Sequence, residues 1–243
     1  MAEEYVPAQY WTQRLAGVGG LRSVGHVAYG ESYNRWIYRR KGVVLGRALG
    51  QVASLERALD LGSGVGWVVD ALRRHGAGHV HGVDISADAV TGLRQRFPAY
   101  TFDQVRVGEE PLPIADASID VATFLDVSYH IVDDAAWEPA VAEAARALRP
   151  GGSLVVIDAF GAEELRPADH VRFRSADRWH THAAAVGLDL VSTAPCYRWL
   201  SRPRDGSMLR VLPQSMRGAL EYGLDTVWST PSHLACTVYA CRR

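Results

Sequence analysis

Apolar and polar positions run through the middle of this chain in two alternating rhythms. From Leu55 to Phe160, short apolar runs that read as strands alternate with longer stretches of helical periodicity. This is the pattern of a parallel sheet wound with helices on both faces. Residues 55–61 (LERALDL) predict a first strand, 65–76 a helix closed by Gly76, and 79–85 (HVHGVDI) a second strand. The next helix opens at Ser86, a good N-cap with Asp88 in its first turn, and stops before Pro98. YTFDQVRV predicts the third strand, and SIDVATFLDV, apolar enough to be buried on both faces, the fourth. The alanine-rich segment 133–148 predicts a helix ending at the turn Pro150-Gly151-Gly152, ahead of a fifth strand in SLVVIDAF. A helix over 175–187, a strand over 188–195 and an alternating run at 233–243 bring the sheet to about seven strands.

Two regions fall outside this rhythm. Residues 1–54, with a helix predicted across ESYNRWIYRRKGVVLGRALG, form an expected N-terminal helical cap ahead of an α/β domain over 55–243. Within that domain, inserts are expected at about 161–175 and 197–232. The cap and the later insert are placed to cover the carboxyl edge of the sheet, where open α/β folds bind ligands. At 243 residues, one elaborated domain is expected rather than two.

Charge narrows the partners. Lys plus Arg (26) nearly balances Asp plus Glu (27), which leaves no field to attract nucleic acid or an anionic membrane. The acidic N-terminus carries no signal-peptide core, and no stretch reaches the roughly 18 apolar residues of a membrane span, so the expected location is cytoplasmic. Cys196, Cys236 and Cys241 form no CxxC pair, and read as buried or idle thiols rather than a disulfide or zinc framework.

The candidate chemistry begins at Asp60-Leu61-Gly62-Ser63-Gly64-Val65-Gly66, where a strand gives way to a helix. Glycines there let the chain turn tightly and let a ligand lie against bare main chain near helix N–H groups. By itself such a loop can be a plain strand-to-helix turn. However, the second strand ends in Asp84, 24 residues after Asp60, close to where doubly wound folds place an acid for ribose hydroxyls. The spacing is G-x-G-x-G, which suits a nucleoside better than a pyrophosphate.

On these segments the chain resembles the class I, Rossmann-like methyltransferases, particularly bacterial ones acting on small molecules. ALDLGSGVG, HGVDIS, GEEPLPIADASIDVATFLDVSYHI and ALRPGGSLVVIDAF stand in the order and spacing of that family's motifs, over roughly residues 56–160. The resemblance implies a doubly wound, mostly parallel seven-stranded sheet with an antiparallel last strand. It also implies S-adenosylmethionine as cofactor, S-adenosylhomocysteine as product and a small-molecule methyl acceptor as partner. Gly62, Ser63, Gly64 and Gly66 would form the cofactor's floor, Asp60 would help hold its amino-acid end, Asp84 its ribose, and Ile85 its adenine. Glu109 or Glu110 would sit at the adenine edge, in a loop one residue shorter than the family's usual pattern. Leu125 and Asp126 would lie near the methionine portion, and Tyr29 or Tyr33 would close over the cofactor.

A methyl group carried on a cationic sulfur leaves a neutral product, so positioning matters most. Well-oriented intramolecular reactions gain on the order of 7–11 kcal/mol. A base is needed only for an acceptor that must lose a proton. His130, after the fourth strand, is the first candidate for it, ahead of His26, His170, His180 and His182. His180 and His182 are not at i, i+4 spacing, and no metal site is expected. Arg39, Arg40 and Lys41 read as a solvated helix face. Arg198, Arg202 and Arg204 are either surface charge or recognition for an acidic acceptor. The alternatives to methyl transfer are a methyltransferase-like domain that binds the cofactor without transferring methyl, and a nicotinamide-dependent oxidoreductase. Either a monomer or a homodimer is compatible with the sequence.

Overall fold

Buried apolar runs set the centre of the molecule. The structure, a computed structural model, describes residues 5–17, 20–26, 28–200, 211–227 and 234–242. Three helices come first: α1 (Pro7–Gly17), α2 (Leu21–Val24) and α3 (Glu31–Leu49). Strand and helix then alternate through β1 (Arg57–Leu61), α4 (Trp67–Arg74), β2 (His79–Asp84), α5 (Ala87–Arg96) and β3 (Thr101–Gln104). The fourth strand, β4 (Ile119–Leu125), is buried at every position, and a 3-10 turn at Ser128–His130 follows it. Next come α6 (Asp134–Ala147) and β5 (Leu148–Ala159), a hairpin of β6 (Leu165–Ala168) and β7 (Val171–Phe173), and α7 (Ala176–Ala185). β8 (Leu188–Pro195), α8 (Gln214–Val227) and β9 (Leu234–Cys241) complete the described elements.

Seven strands form one sheet in the order β3-β2-β1-β4-β5-β9-β8. β1 to β5 are parallel, and β9 runs antiparallel between β5 and β8. This is the doubly wound sheet with an antiparallel last strand that the sequence implies. Helix starts follow capping chemistry: the Ser86, Asp133 and Ser175 side chains accept hydrogen bonds from the first turns of α5, α6 and α7.

Each face of the sheet carries an apolar core. One packs Val44, Leu45, Ala48 and Leu49 of α3 with Val69 and Leu72 of α4 against β1, β4 and β5. The other packs Trp137 of α6 and Trp179 of α7, edge to face at 4.8 Å, against Leu59, Phe124 and Val156. The C-terminal half of α3 therefore belongs to the domain core, although the pattern placed it in a cap.

Three expectations change. Pro150-Gly151-Gly152 is not a turn: β5 begins at Leu148 and runs through it, leaving a register shift beside Ile119 on β4. Residues 197–232 are not wholly irregular, since they contain α8, which packs on α3 through Trp36 and Tyr222. Arg40 and Lys41 are not solvated: each is 5% exposed, Arg40 Nε donating to the Cys196 carbonyl at 2.8 Å. Arg202 and Arg204 lie outside the described residues. All three cysteines are buried and free. Among the described residues no helix is long and apolar enough to cross a membrane.

Candidate functional site

The carboxyl ends of β1, β2 and β4 open into one cavity. The loop after β1 forms its floor, clamped because the Gly62 and Ser63 N–H groups both donate to the Val83 carbonyl, at 2.8 and 3.0 Å. Gly62 has a φ of +77°, and a Cβ there would stand 2.4 Å from Val127 Cγ2, so the close approach of the two loops requires glycine. Gly64 turns at φ +50° with its N–H on Asp84 Oδ2 at 2.7 Å.

Asp84, at the end of β2, is held from both sides. Its Oδ1 accepts from the Ser86 N–H at 2.9 Å, while burial raises its carboxyl above the ordinary range against the pull of those N–H groups. The two carboxylate oxygens offer four acceptor positions, of which the Gly64, Ser86 and Ile85 N–H groups take up to three, so acceptor capacity remains for a ligand. Asp84 lines the cavity together with Ile85, Glu109, Leu125, Asp126 and His130.

Other sequence-predicted residues lie elsewhere. Asp60 is 1% exposed beneath the loop, where Thr123 Oγ1 donates to its Oδ1 at 2.7 Å; burial pushes its carboxyl up to about 6. It supports the floor from below and does not line the cavity. Glu110 accepts from the Arg106 N–H at 2.7 Å and also stays outside, whereas Glu109 lines the cavity and pairs with Arg106 at 2.9 Å. Tyr29 and Tyr33 do not close over the cavity. Their rings stack at 4.1 Å beneath Arg217 of α8, and the buried Tyr33 hydroxyl donates to Glu221.

Trp11 and Tyr38 stand at the cavity instead, with Leu15 and Val24. Helix α1 is drawn over the site by Arg14, which donates to the carbonyls of Ser23 and Gly25, both at 2.7 Å, and to the Tyr10 hydroxyl at 2.8 Å. The missed signal was the spacing of Pro7, Trp11 and Leu15, one helical stripe in an otherwise polar segment.

Across from α1, the turn Ser128–His130 presents His130, which packs edge to face on Trp11 at 4.7 Å. His130 Nδ1 donates to the His170 carbonyl at 2.7 Å, which leaves Nε2 as the acceptor nitrogen. Burial pushes its imidazole down to about 3, with Arg14 and Lys41 adding to the effect, so it is neutral and weakly basic at pH 7. His180 and His182 bond Tyr239 and the Glu138 carbonyl, at 3.0 Å each. Among the described residues no group of three His, Cys, Asp or Glu side chains is arranged to hold a metal.

The other functional group missed by the sequence lies under the cavity wall. Lys41 Nζ pairs with Asp126 Oδ2 at 2.5 Å, and the two side chains are 7% and 14% exposed. Burial opposes the ammonium, but Asp126 outweighs it and holds Lys41 above its ordinary range. Asp126 itself sits at φ +59°, a left-handed conformation uncommon outside glycine and found at sites under constraint. Its Oδ1 accepts from the Tyr129 hydroxyl at 3.2 Å.

Buried Asp158 on β5 anchors the turn, accepting from Ser128 Oγ and, at 3.2 Å, from Trp179 Nε1. Burial pushes its carboxyl up to about 7 from an ordinary value of 3.8. The native state thus keeps a proton that the unfolded chain has lost. Stability falls as pH rises through this window, and the penalty is complete above about pH 7. Asp158→Asn is therefore expected to gain about 2–3 kcal/mol relative to wild type between pH 5 and pH 8. Urea unfolding at both pH values measures this, and an equal difference at the two would show that burial does not govern Asp158.

Sheet order, glycine loop and Asp84 together define an α/β protein built to hold a nucleoside cofactor at the carboxyl edge of its sheet. Comparison with known proteins narrows the class. Residues 58–152 match the family described as methyltransferase domain. A Mycobacterium tuberculosis (strain CDC 1551 / Oshkosh) protein named probable S-adenosylmethionine-dependent methyltransferase is 37% identical over 123 residues, covering 51% of this chain and 42% of that protein. The chain spans less than half the length of the first curated relatives it matches. Among solved structures, an S-adenosylmethionine-dependent methyltransferase from Mesorhizobium loti aligns with a TM-score of 0.55 at 18% identity, over 83% of this chain and 99% of that one. The (4+2)-cyclase SpnF aligns with a TM-score of 0.56 at 19% identity, over 83% of this chain and 80% of that one. The matched stretch, residues 58–152, is thus similar to methyltransferase domains, and its likeness to proteins named probable S-adenosylmethionine-dependent methyltransferases implies S-adenosylmethionine as the cofactor. The bare glycine floor beside Asp84, which keeps acceptor capacity on its carboxylate and lines the cavity, fits a nucleoside cofactor.

Proposed function

We propose that this protein transfers a methyl group from S-adenosylmethionine to an oxygen, nitrogen or carbon atom of a small molecule. The observation that carries the reading is the continuity of the cavity: the Gly62–Gly64 floor and Asp84 lie at one side, and an aromatic chamber of Trp11, Tyr38 and His130 opens from them. Asp84 would hold the ribose, Ile85 the adenine face and Glu109 the adenine edge. Leu125 and Asp126 would flank the methionine portion, above the loop that Asp60, Ser63 and Gly66 shape.

S-adenosylmethionine supplies an electrophilic methyl on a cationic sulfur that departs as a neutral thioether. The protein's own part is to orient the acceptor and exclude water. His130 offers Nε2 to a donor group on the acceptor, with its tautomer fixed by the His170 carbonyl. Helix α1 covers the chamber through Pro7, Trp11 and Leu15, which suits a small acceptor. A cytoplasmic location belongs to the same reading, since three free thiols suit a reducing compartment. So does a monomeric or homodimeric state.

A second reading is a domain that binds the cofactor and catalyses something other than methylation. The weak basicity of His130 favours it, because few unpaired bases remain at the chamber. Incubating a metabolite extract with methyl-labelled S-adenosylmethionine separates the two: methyl transfer yields a labelled small molecule, and its absence defeats our reading. Gly64→Arg is expected to abolish S-adenosylhomocysteine binding in calorimetry. Its backbone φ is +50° and its Cβ would already lie 3.1 Å from Val24 Cγ1.

A further inference from the structure

We propose that Lys41, buried beneath the chamber wall, neutralises Asp126 from behind, so that the acceptor end of the chamber favours uncharged acceptors over ammonium ions. This rests on reading the chamber as the methyl-acceptor site. Aromatic walls with a carboxylate at one end ordinarily attract ammonium groups. Here the Asp126 carboxylate is already paired from within.

The Asp126 carboxylate, which lines the cavity, has Lys41 Nζ on its Oδ2 at 2.5 Å. The same ammonium lies 5.0 Å from the centroid of the Tyr38 ring. Trp11, the other large ring at this end, carries the Arg14 guanidinium at 5.1 Å. A further cation entering the chamber would find the Asp126 carboxylate already neutralised, with the Lys41 and Arg14 charges close by outside the lining. An uncharged acceptor meets flat apolar rings, the Nε2 acceptor of His130 and the open lone pairs of Asp126, which together suit a hydroxyl or neutral N–H donor. On α3, Lys41 lies in the buried stripe of Ile37, Val44, Leu45 and Ala48.

Two probes of matched shape test the proposal: benzyltrimethylammonium and its carbon isostere neopentylbenzene, titrated calorimetrically into the full chain with and without S-adenosylhomocysteine. Wild type is expected to bind the neutral probe about tenfold more tightly. Lys41→Met is expected to move the ratio at least about tenfold toward the cation, because Asp126 and Tyr38 become available. Equal or tighter binding of the cation by wild type, no binding of the neutral probe, or a smaller shift in the variant overturns the proposal. If Lys41→Met does not fold, Lys41→Met/Asp126→Asn replaces it. That variant frees the Tyr38 ring without an unpaired charge, and a shift of less than about threefold toward the cation overturns the proposal. Failure of S-adenosylhomocysteine to bind would defeat the cofactor reading, while the probe ratios still judge Lys41.

Discussion

Lys41→Met is expected to lower the melting temperature by about 10 °C at neutral pH. Removing one partner of a buried ion pair leaves the other unpaired, at a cost of about 3–5 kcal/mol. Asp126 retains some exposure to the cavity, so the lower end applies. For a chain of this size, each kcal/mol shifts the midpoint by about 2–4 °C. Restoring neutrality with Lys41→Met/Asp126→Asn should recover most of the loss, since hydrophobic or neutral replacement of a whole pair is often tolerated. Circular dichroism melts of wild type and both variants check this. A single variant melting within about 2 °C of wild type would show the pair to be uncoupled from stability.

Asp84→Ala is expected to weaken S-adenosylhomocysteine binding by about 10- to 100-fold. Hydrogen bonds to a charged group contribute about 1.5–3 kcal/mol, and the proposed ribose contact would use the acceptor capacity that Asp84 retains. The substitution also releases the Gly64 N–H that Asp84 Oδ2 holds at 2.7 Å, so loop order and ligand contact fail together. Calorimetry reads the effect directly. A dissociation constant within about twofold of wild type would remove Asp84 from the cofactor site.

What the sequence made legible depends on how far each contact reaches along the chain. The glycine loop and Asp84 were readable because their geometry is local: a strand, a tight turn and a helix follow one another within 24 residues of Asp60. The sheet was readable because five of the seven residues of β4 are apolar. The acceptor end was not. Lys41 meets Asp126 across 85 residues, and a basic run on a helix does not announce which of its members turns inward. Tyr33 looked like a cofactor lid because it shares a helix face with Tyr29, but its partner Glu221 lies 188 residues away, in a segment the pattern left irregular. Trp11 escaped notice because α1 is amphipathic only through a few residues whose partners come from distant loops.

The antiparallel strand β9 has a consequence for how this protein can be divided. Every residue of β5 from Ser153 to Ala159 pairs with β9, and Lys41 on α3 pairs with the cavity-lining Asp126. A segment cut at residues 58 and 152 would end just before the paired stretch of β5, and would lack both β9 and the cation beneath Asp126. The stretch that carries the family likeness is thus not a module to be transplanted. Any chimera that exchanges acceptor chemistry must carry the N-terminal helices and the last strand along with it.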